Sequence, residues 1–266
     1  MPPRFAVTPL IVEGMRVTLA NLRLALDLAL VPTLVSVAIT FVGRALAGER
    51  LEMVEALAIR TVDVVPSAMF AIAWYRFVLL GPAAAAPGAS LGRRERGYLF
   101  QLVAIAAIPI ALEAMFLAIA PWPLPRDAES MPPGMGAAAA LGLGATVTLM
   151  IAVRLSFGLV APALDLAWAP RLAWRYGAGN GWAILGALIL TLLGLGMGKT
   201  LVNGVVERLA TAVFDAPLSL GPLLVVELVQ ETVAYLTWAP ALALQAFIFR
   251  DLTGFKPGHP LRQPPV

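Results

Sequence analysis

The sequence predicts an all-α protein: a polytopic membrane helical bundle of about six transmembrane helices plus short interfacial helices. Three observations predict it. The chain of 266 residues is 60% hydrophobic and only 13% charged, with a mean hydropathy of +0.85. Soluble domains carry about 25% charged residues, because charge coats a surface that faces water. Apolar stretches as long as a bilayer core recur along the chain, separated by segments rich in Gly, Pro and charge. Finally, Lys and Arg are divided unequally between alternate loops, as in proteins that cross a membrane several times. Six helices of about 20 residues use about 120 residues. The remainder suffices for loops and one or two surface helices, so residues 1–252 read as a single transmembrane domain.

The elements follow in order. In residues 8–22, Ile11, Met15, Leu19 and Leu22 recur at helical spacing while Glu13 and Arg16 lie elsewhere on the helix. Both an interfacial helix and an extension of the first span fit this pattern. Glu13, Arg16 and Arg23 interrupt any run that would serve as a cleavable signal. The first span is 24–46 and the second 62–80. Helical periodicity before the second span starts near Glu49, so a helix over 49–80 would be about 48 Å long. Its first turns, with Glu49, Glu52 and Glu55, would project into water, and Pro66 is expected to kink it. Residues 81–97 form a linker, Gly/Ala/Pro-rich and then basic at Arg93, Arg94 and Arg96. The third span is 98–120. The segment PWPLPRDAESMPPGM at 121–135 holds five prolines, which break a helix. The fourth span is 137–162, followed by a short interfacial helix at 166–176 carrying Trp168, Arg171, Trp174 and Arg175. GAGNG at 177–181 is a turn, the fifth span is 182–202 and the sixth is 222–249. Residues 253–266 read as a disordered Pro-rich cytoplasmic tail. Trp122, Trp168, Trp174 and Trp182 fall at helix ends, where an interfacial aromatic belt belongs.

Composition removes several chemistries. There is no cysteine and one histidine, His259 in the Pro-rich tail. Disulfides, thiolate metal sites and a cysteine nucleophile are excluded. Paired-histidine haem ligation, a histidine zinc site and a Ser-His-Asp triad have no material to work with. No metal and no cofactor is expected. The net charge of +3 reads as loop orientation, and no nucleic-acid partner is expected. GLGMGKT at 194–200 resembles a phosphate-binding loop, but the pattern G-x-x-x-x-G-K-[ST] puts its first glycine at 193, which is Leu193. Its place at the end of a span is also wrong for that loop. Gly194 and Gly198, one turn apart, instead fit the small-xxx-small pattern of closely packed membrane helices, with Gly186 as a further small position.

Ionisable residues at membrane depth are costly and tend to mark function or pairing. They are Asp27, Asp63, Arg76, Glu113, Arg154, Glu227 and Glu231. Glu227, Glu231 and Tyr235 are four apart and share one face of the last span. Glu113, in IPIALEAMFL, has no charged neighbour for about a dozen residues on either side. With the N-terminus inside, Asp63, Glu113, Glu227 and Glu231 gather toward the outer half. One reading is an outward-facing polar cavity that takes a cation, a proton or an amine-bearing headgroup. The other is interhelical pairing, with Asp27 and Arg76 as an inner-edge ion pair and Arg154 on a carboxylate. Both stay open at this stage. Close carboxylates also raise acid–base hydrolysis, but no activating histidine or metal loop accompanies them, so an enzyme is not expected.

Two stretches carry a resemblance: RLSFGLVAPALDLAWAPRLAWRYGAGNGWAILGALIL at 154–190 and ALALQAFIFRDLTG at 241–254. They resemble a group of uncharacterised bacterial inner-membrane proteins related to the membrane domain of glycerophosphodiester phosphodiesterases. The matching positions are Arg154, Pro162, the Trp174–Arg175 region, Gly179-Asn180-Gly181-Trp182 and Phe249-Arg250-Asp251-Leu252. The sequence departs from the group at Tyr176-Gly177, where Thr-Arg-Gly is the tendency, and at Phe249, where Tyr is usual. Good matches cover about 50 of the 266 residues, and residues 9–42 fit more weakly. The resemblance implies a six-helix domain of the bacterial inner membrane. It implies no reaction, because the phosphodiesterase chemistry belongs to a soluble domain that these residues do not include.

The expectation is a non-enzymatic integral inner-membrane protein, surrounded by membrane lipids. It is either an accessory subunit among other membrane-protein subunits or a handler of lipids or amphiphiles. The alternative is the membrane-spanning subunit of a transporter working with a separate ATPase, for which 166–176 is the candidate coupling helix. Counting fixes the expected orientation. Arg44, Arg50, Arg60, Arg126, Lys199 and Arg208 fall on one side, and the other thirteen of the nineteen basic residues fall on the side of the N-terminus. Both termini are therefore expected in the cytoplasm. Single cysteines at Arg4 and Arg262 should both be shielded from a membrane-impermeant thiol reagent in intact cells; labelling of either contradicts the orientation.

Overall fold

The last long helix is the post around which the others stand. A computed structural model describes residues 7–47, 61–85, 92–119, 146, 150–166, 170–214, 220–259 and 261. About 90% of these are helical and none is in a strand, so the protein is all-α over the described residues. The helices are α1 Val7–Ala20, α2 Leu22–Ala47, α3 Val64–Leu80, α4 Arg93–Ile119, α5 Met150–Leu164, α6 Pro170–Tyr176, α7 Gly181–Val213 and α8 Leu220–Thr253. A 3-10 turn, Pro82–Ala84, follows α3, and α5 ends in 3-10 geometry over Phe157–Leu164. Helix α8 packs against α1, α2, α3, α5 and α7.

The middle of α8 shows why. Pro240 lies inside that helix and gives no backbone N–H to its ladder. Next to it, the Ala239 carbonyl accepts the Trp74 indole N–H of α3 at 2.8 Å. On the other side, Gly14 of α1 packs so close that a Cβ there would lie 3.0 Å from the Pro240 carbonyl oxygen. Helix α3 is buried nearly all round, including Phe70, Trp74 and Tyr75. An apolar helix with protein on every side belongs in the centre of a bundle. Phe70 stacks on Trp74 at 6.1 Å and meets the Tyr235 ring of α8 at 5.2 Å.

Three described helices are long and apolar enough to cross a membrane: Leu22–Gly43 within α2, then α7 and α8. Their faces also fit a lipid surround. On α2, Leu22, Leu26, Leu30, Leu34 and Val42 point outward, while Thr33 and Ser36 point into the bundle. That is the reverse of a helix made for water. Helix α3 is apolar but has 17 residues, about 26 Å, slightly under the hydrocarbon thickness. Two features explain its boundary. A turn at Asp63 separates it from helical Thr61–Val62, so no unbroken helix runs to Leu80, and residues 48–60 lie outside the described set. Pro66 stands in the first turn, where no intrahelical N–H is required, and so starts the helix rather than kinking it. The third expected span coincides with α4, whose side chains are described only as far as Ile108. Of the fourth, α5 covers the end.

Three further boundaries differ from expectation. Most of residues 8–22 fall in a separate helix, α1, which ends at Ala20, breaks from α2 at Asn21 and packs on α8, so it is not a straight extension of the first span. Helix α7 runs eleven residues past 202, because polar Asn203, Glu207 and Arg208 end a hydrophobic stretch without ending a helix. The tail begins later than 253. Gly254, at φ 63°, closes α8 with the Phe255 N–H on the Arg250 carbonyl, a Schellman cap. Phe255 then folds back onto Phe249 at 6.1 Å.

Gly14→Val should lower stability by about 1–3 kcal/mol, the usual penalty for forcing volume into a packed contact. Gly186→Ala, where an added Cβ meets nothing within 4 Å, should leave it unchanged or raised. Thermal unfolding in detergent compares the two.

Candidate functional site

The polar positions divide into three groups. The first lies between α2, α3 and α8. Tyr235 Oη and Ser36 Oγ share a hydrogen bond of 2.8 Å, Ser67 also bonds the tyrosine hydroxyl, and Asp63 and Glu231 stand close enough to act on it. One carboxylate oxygen of Asp63 is buried without a hydrogen-bond partner. Glu227 is buried one turn away on the same helix. The structure thus brings Asp63, Glu231 and Tyr235 together. Glu113 lies on α4 among residues whose side chains are outside the described set.

Arg154 belongs elsewhere. Its guanidinium lies 3.9 Å over the Trp174 ring and donates to the Trp174 carbonyl at 3.1 Å. Gly177 and Gly181 pack against its stem. It staples α6 and the 177–180 turn to the first turns of the described α5. Gly186, Gly194 and Gly198, expected to pack helices, have no described atom within 4 Å of an added Cβ.

The third group borders a cavity. At the C-terminal ends of α3 and α5 and the start of α4 lies a cleft of about 450 Å³, lined by Met69, Ile72, Ala73, Arg76, Ala83, Ala84, Gly92, Arg93, Arg94, Glu95 and Asp165. Arg76 does not reach Asp27, which is exposed on α2. It donates to the Ala84 and Ala163 carbonyls at 2.9 and 2.8 Å, and comes within 4.0 Å of Asp165. The physical reason is that carbonyls at a helix end lack intrahelical donors. A guanidinium with five donors satisfies one such carbonyl and the adjacent turn together. Arg94 grips Asp165 through Nε and Nη2, at 3.0 and 2.5 Å, and Arg93 adds a bond at 3.1 Å.

Asp165 is the centre of this group, and its backbone is unusual. It is the non-glycine residue of positive φ, 56°, among the described residues. The Asp165 N–H bonds the Pro162 carbonyl and the Leu166 N–H the Ala161 carbonyl, so α5 also ends in a Schellman cap. Glycine is the usual residue at this position. An aspartate here accepts some backbone strain and in return carries a carboxylate into the arginines. Sequence reading took Arg93 and Arg94 as orientation charges and passed over Asp165. The available signal was its isolation: no other acid stands between Glu129 and Glu207.

No protein-family model matches the chain, and no curated protein or solved structure matches it.

The hydrogen bond from Arg94, with further help from Arg93, holds the Asp165 carboxyl below the usual carboxylate range against a smaller opposing effect of burial. The same bond raises Arg94. A depressed carboxyl contributes stability above its unfolded value, about 3.9, and loses it as pH falls through the lower folded value. Partial exposure keeps the contribution near the upper end of surface pairs, about 1 kcal/mol. The difference in thermal midpoint between wild type and Asp165→Asn should therefore be flat from pH 7 to about 4 and shrink below that.

Proposed function

We propose that the protein is a non-enzymatic, six-span protein of the bacterial inner membrane, with cytoplasmic termini, that holds an anionic amphiphile in the cleft between α3, α4 and α5. One observation carries this reading: the cleft joins an apolar wall to a basic rim. Met69, Ile72 and Ala73 face it from α3, and Arg76, Arg93 and Arg94 stand at its mouth. A volume of about 450 Å³ lies within the usual range for small-molecule sites, and a lining more polar than apolar suits the headgroup end of such a ligand. Guanidinium groups suit phosphate and carboxylate because their planar donors pair with two oxygens at once.

The remaining features agree with this reading. The basic rim lies on the side to which the charge count assigns the cytoplasm, where anionic headgroups attract Arg and Lys. The resemblance over 154–190 and 241–254 supports a bacterial inner-membrane setting. Six spans require α3, α4 and α5 to cross beside α2, α7 and α8. A short helix such as α3 is accommodated when protein surrounds it, as it does here.

Native mass spectrometry of the protein released from nanodiscs of mixed bacterial lipid tests the proposal. Wild type should retain an anionic lipid that Arg93→Ala/Arg94→Ala releases with at least about tenfold weaker retention, since bonds to charged groups contribute about 1.5–3 kcal/mol. Arg154→Ala, away from the cleft, should retain it. Equal retention by all three proteins contradicts the proposal.

A further inference from the structure

The charges around the cleft do not cancel. Arg76, Arg93 and Arg94 face Asp165 and Glu95 across it, which leaves one positive charge in excess. The excess is the same whichever acid each arginine touches. The start of α4 opens on the cleft at Gly92 and adds partial positive charge from its unpaired N–H groups. Asp165 is the acid that matters for what else can bind. It occupies Arg93 and Arg94 directly, whereas Glu95 folds back over Gly92. Asp165 is also the residue that departs from the local backbone rule, since its Schellman position favours glycine. The fold of this corner therefore does not require an aspartate. Its retention adds a negative charge at the mouth of an otherwise strongly basic cleft.

We infer that Asp165 sets the charge of the ligand, restricting the cleft to a headgroup with one net negative charge, such as a phosphodiester without a balancing amine. This rests on the amphiphile-binding reading above. A zwitterionic headgroup leaves the excess charge of the cleft uncompensated. A dianionic phosphomonoester brings one negative charge too many beside Asp165. With Asp165 neutral, the cleft carries two excess positive charges and the preference moves to the dianion.

The test uses the full-length protein in nanodiscs at pH 8, where a phosphomonoester, with a second pKa near 6, is doubly ionised. Lipid retention is compared for phosphatidylglycerol, phosphatidylethanolamine and phosphatidic acid. Wild type should prefer phosphatidylglycerol. Asp165→Gly and Asp165→Asn should each shift the ratio of phosphatidic acid to phosphatidylglycerol upward by about tenfold, the scale of one charge-assisted contact. Asp165→Gly suits the left-handed cap and Asp165→Asn keeps the shape of the side chain, so a shift common to both, with unfolding midpoints measured alongside, reports the lost charge rather than loss of folding. If wild type retains phosphatidylglycerol and both variants keep the same ratio, the role of Asp165 is overturned while the amphiphile reading stands. If wild type and the Arg93→Ala/Arg94→Ala variant hold all three lipids alike, the amphiphile reading itself fails. Dimethyl phosphate, the same charge without acyl chains, separates the sources. Binding as tight as the lipid's contradicts the apolar wall's part and identifies a soluble anion.

Discussion

Three consecutive residues, Trp74, Tyr75 and Arg76, tie the bundle together, and the rest of the structure depends on them. Successive side chains on a helix point about 100° apart, so between them the three reach α8, α4 and α5. Trp74 donates to Ala239 of α8, Tyr75 hydrogen-bonds Gln245 of α8 and meets Tyr98 of α4, and Arg76 bonds Ala163 at the end of α5. In a bilayer, apolar contact between helices gains little over contact with lipid. Directional bonds of this kind are what select one arrangement. They also set the height of α3, and through it the position of Arg76 at the mouth of the cleft. The indole bond beside Pro240 and the guanidinium bond at the end of α5 thus belong to one mechanical unit, although their partners lie 76 residues apart in sequence.

The inverted distribution on α2 extends the same logic. Leu22, Leu26, Leu30 and Leu34 look outward, while Leu28 joins the core and the Ser36 hydroxyl turns inward, to Tyr235. A polar side chain in hydrocarbon seeks a partner inside the protein, so small hydroxyls mark the faces where helices meet. Ser67 on α3 follows the same pattern. The outer polar group is therefore as much a piece of packing as a collection of acids.

How much of this was legible in the sequence depends on the range of the interaction. Composition and apolar run length report on the surrounding solvent, and they gave the all-α class and the positions of α2, α7 and α8. Four-residue spacing placed Glu231 and Tyr235 on one face, and the structure brings Asp63 to them. Arg76 was legible as a membrane-edge cation but its partner was not. Asp27 was the opposite charge expected at the same inner edge, on the adjacent span, while the structure satisfies Arg76 with backbone carbonyls of α5 and the 82–84 turn, which carry no signature in sequence. Arg154 failed in the same way, since its partner is the face and carbonyl of Trp174, an aromatic read as an interfacial anchor. Asp165 was hidden for a different reason. A left-handed helix cap is normally announced by glycine, and an aspartate there looks like any loop acid.

The central position of α8 has a consequence for how the bundle is made. Synthesis runs from α1 toward α8, so the helix that contacts most of the others leaves the ribosome after them. Until then Trp74 has no Ala239 carbonyl, Ser36 has no Tyr235, and Gly14 has no backbone to lie against. The Glu13–Arg250 pair joins residues 237 positions apart. Each earlier helix must wait at the membrane with its polar side chains incompletely matched. Assembly is then a late, concerted closure, set off by the arrival of one strut rather than built up pair by pair.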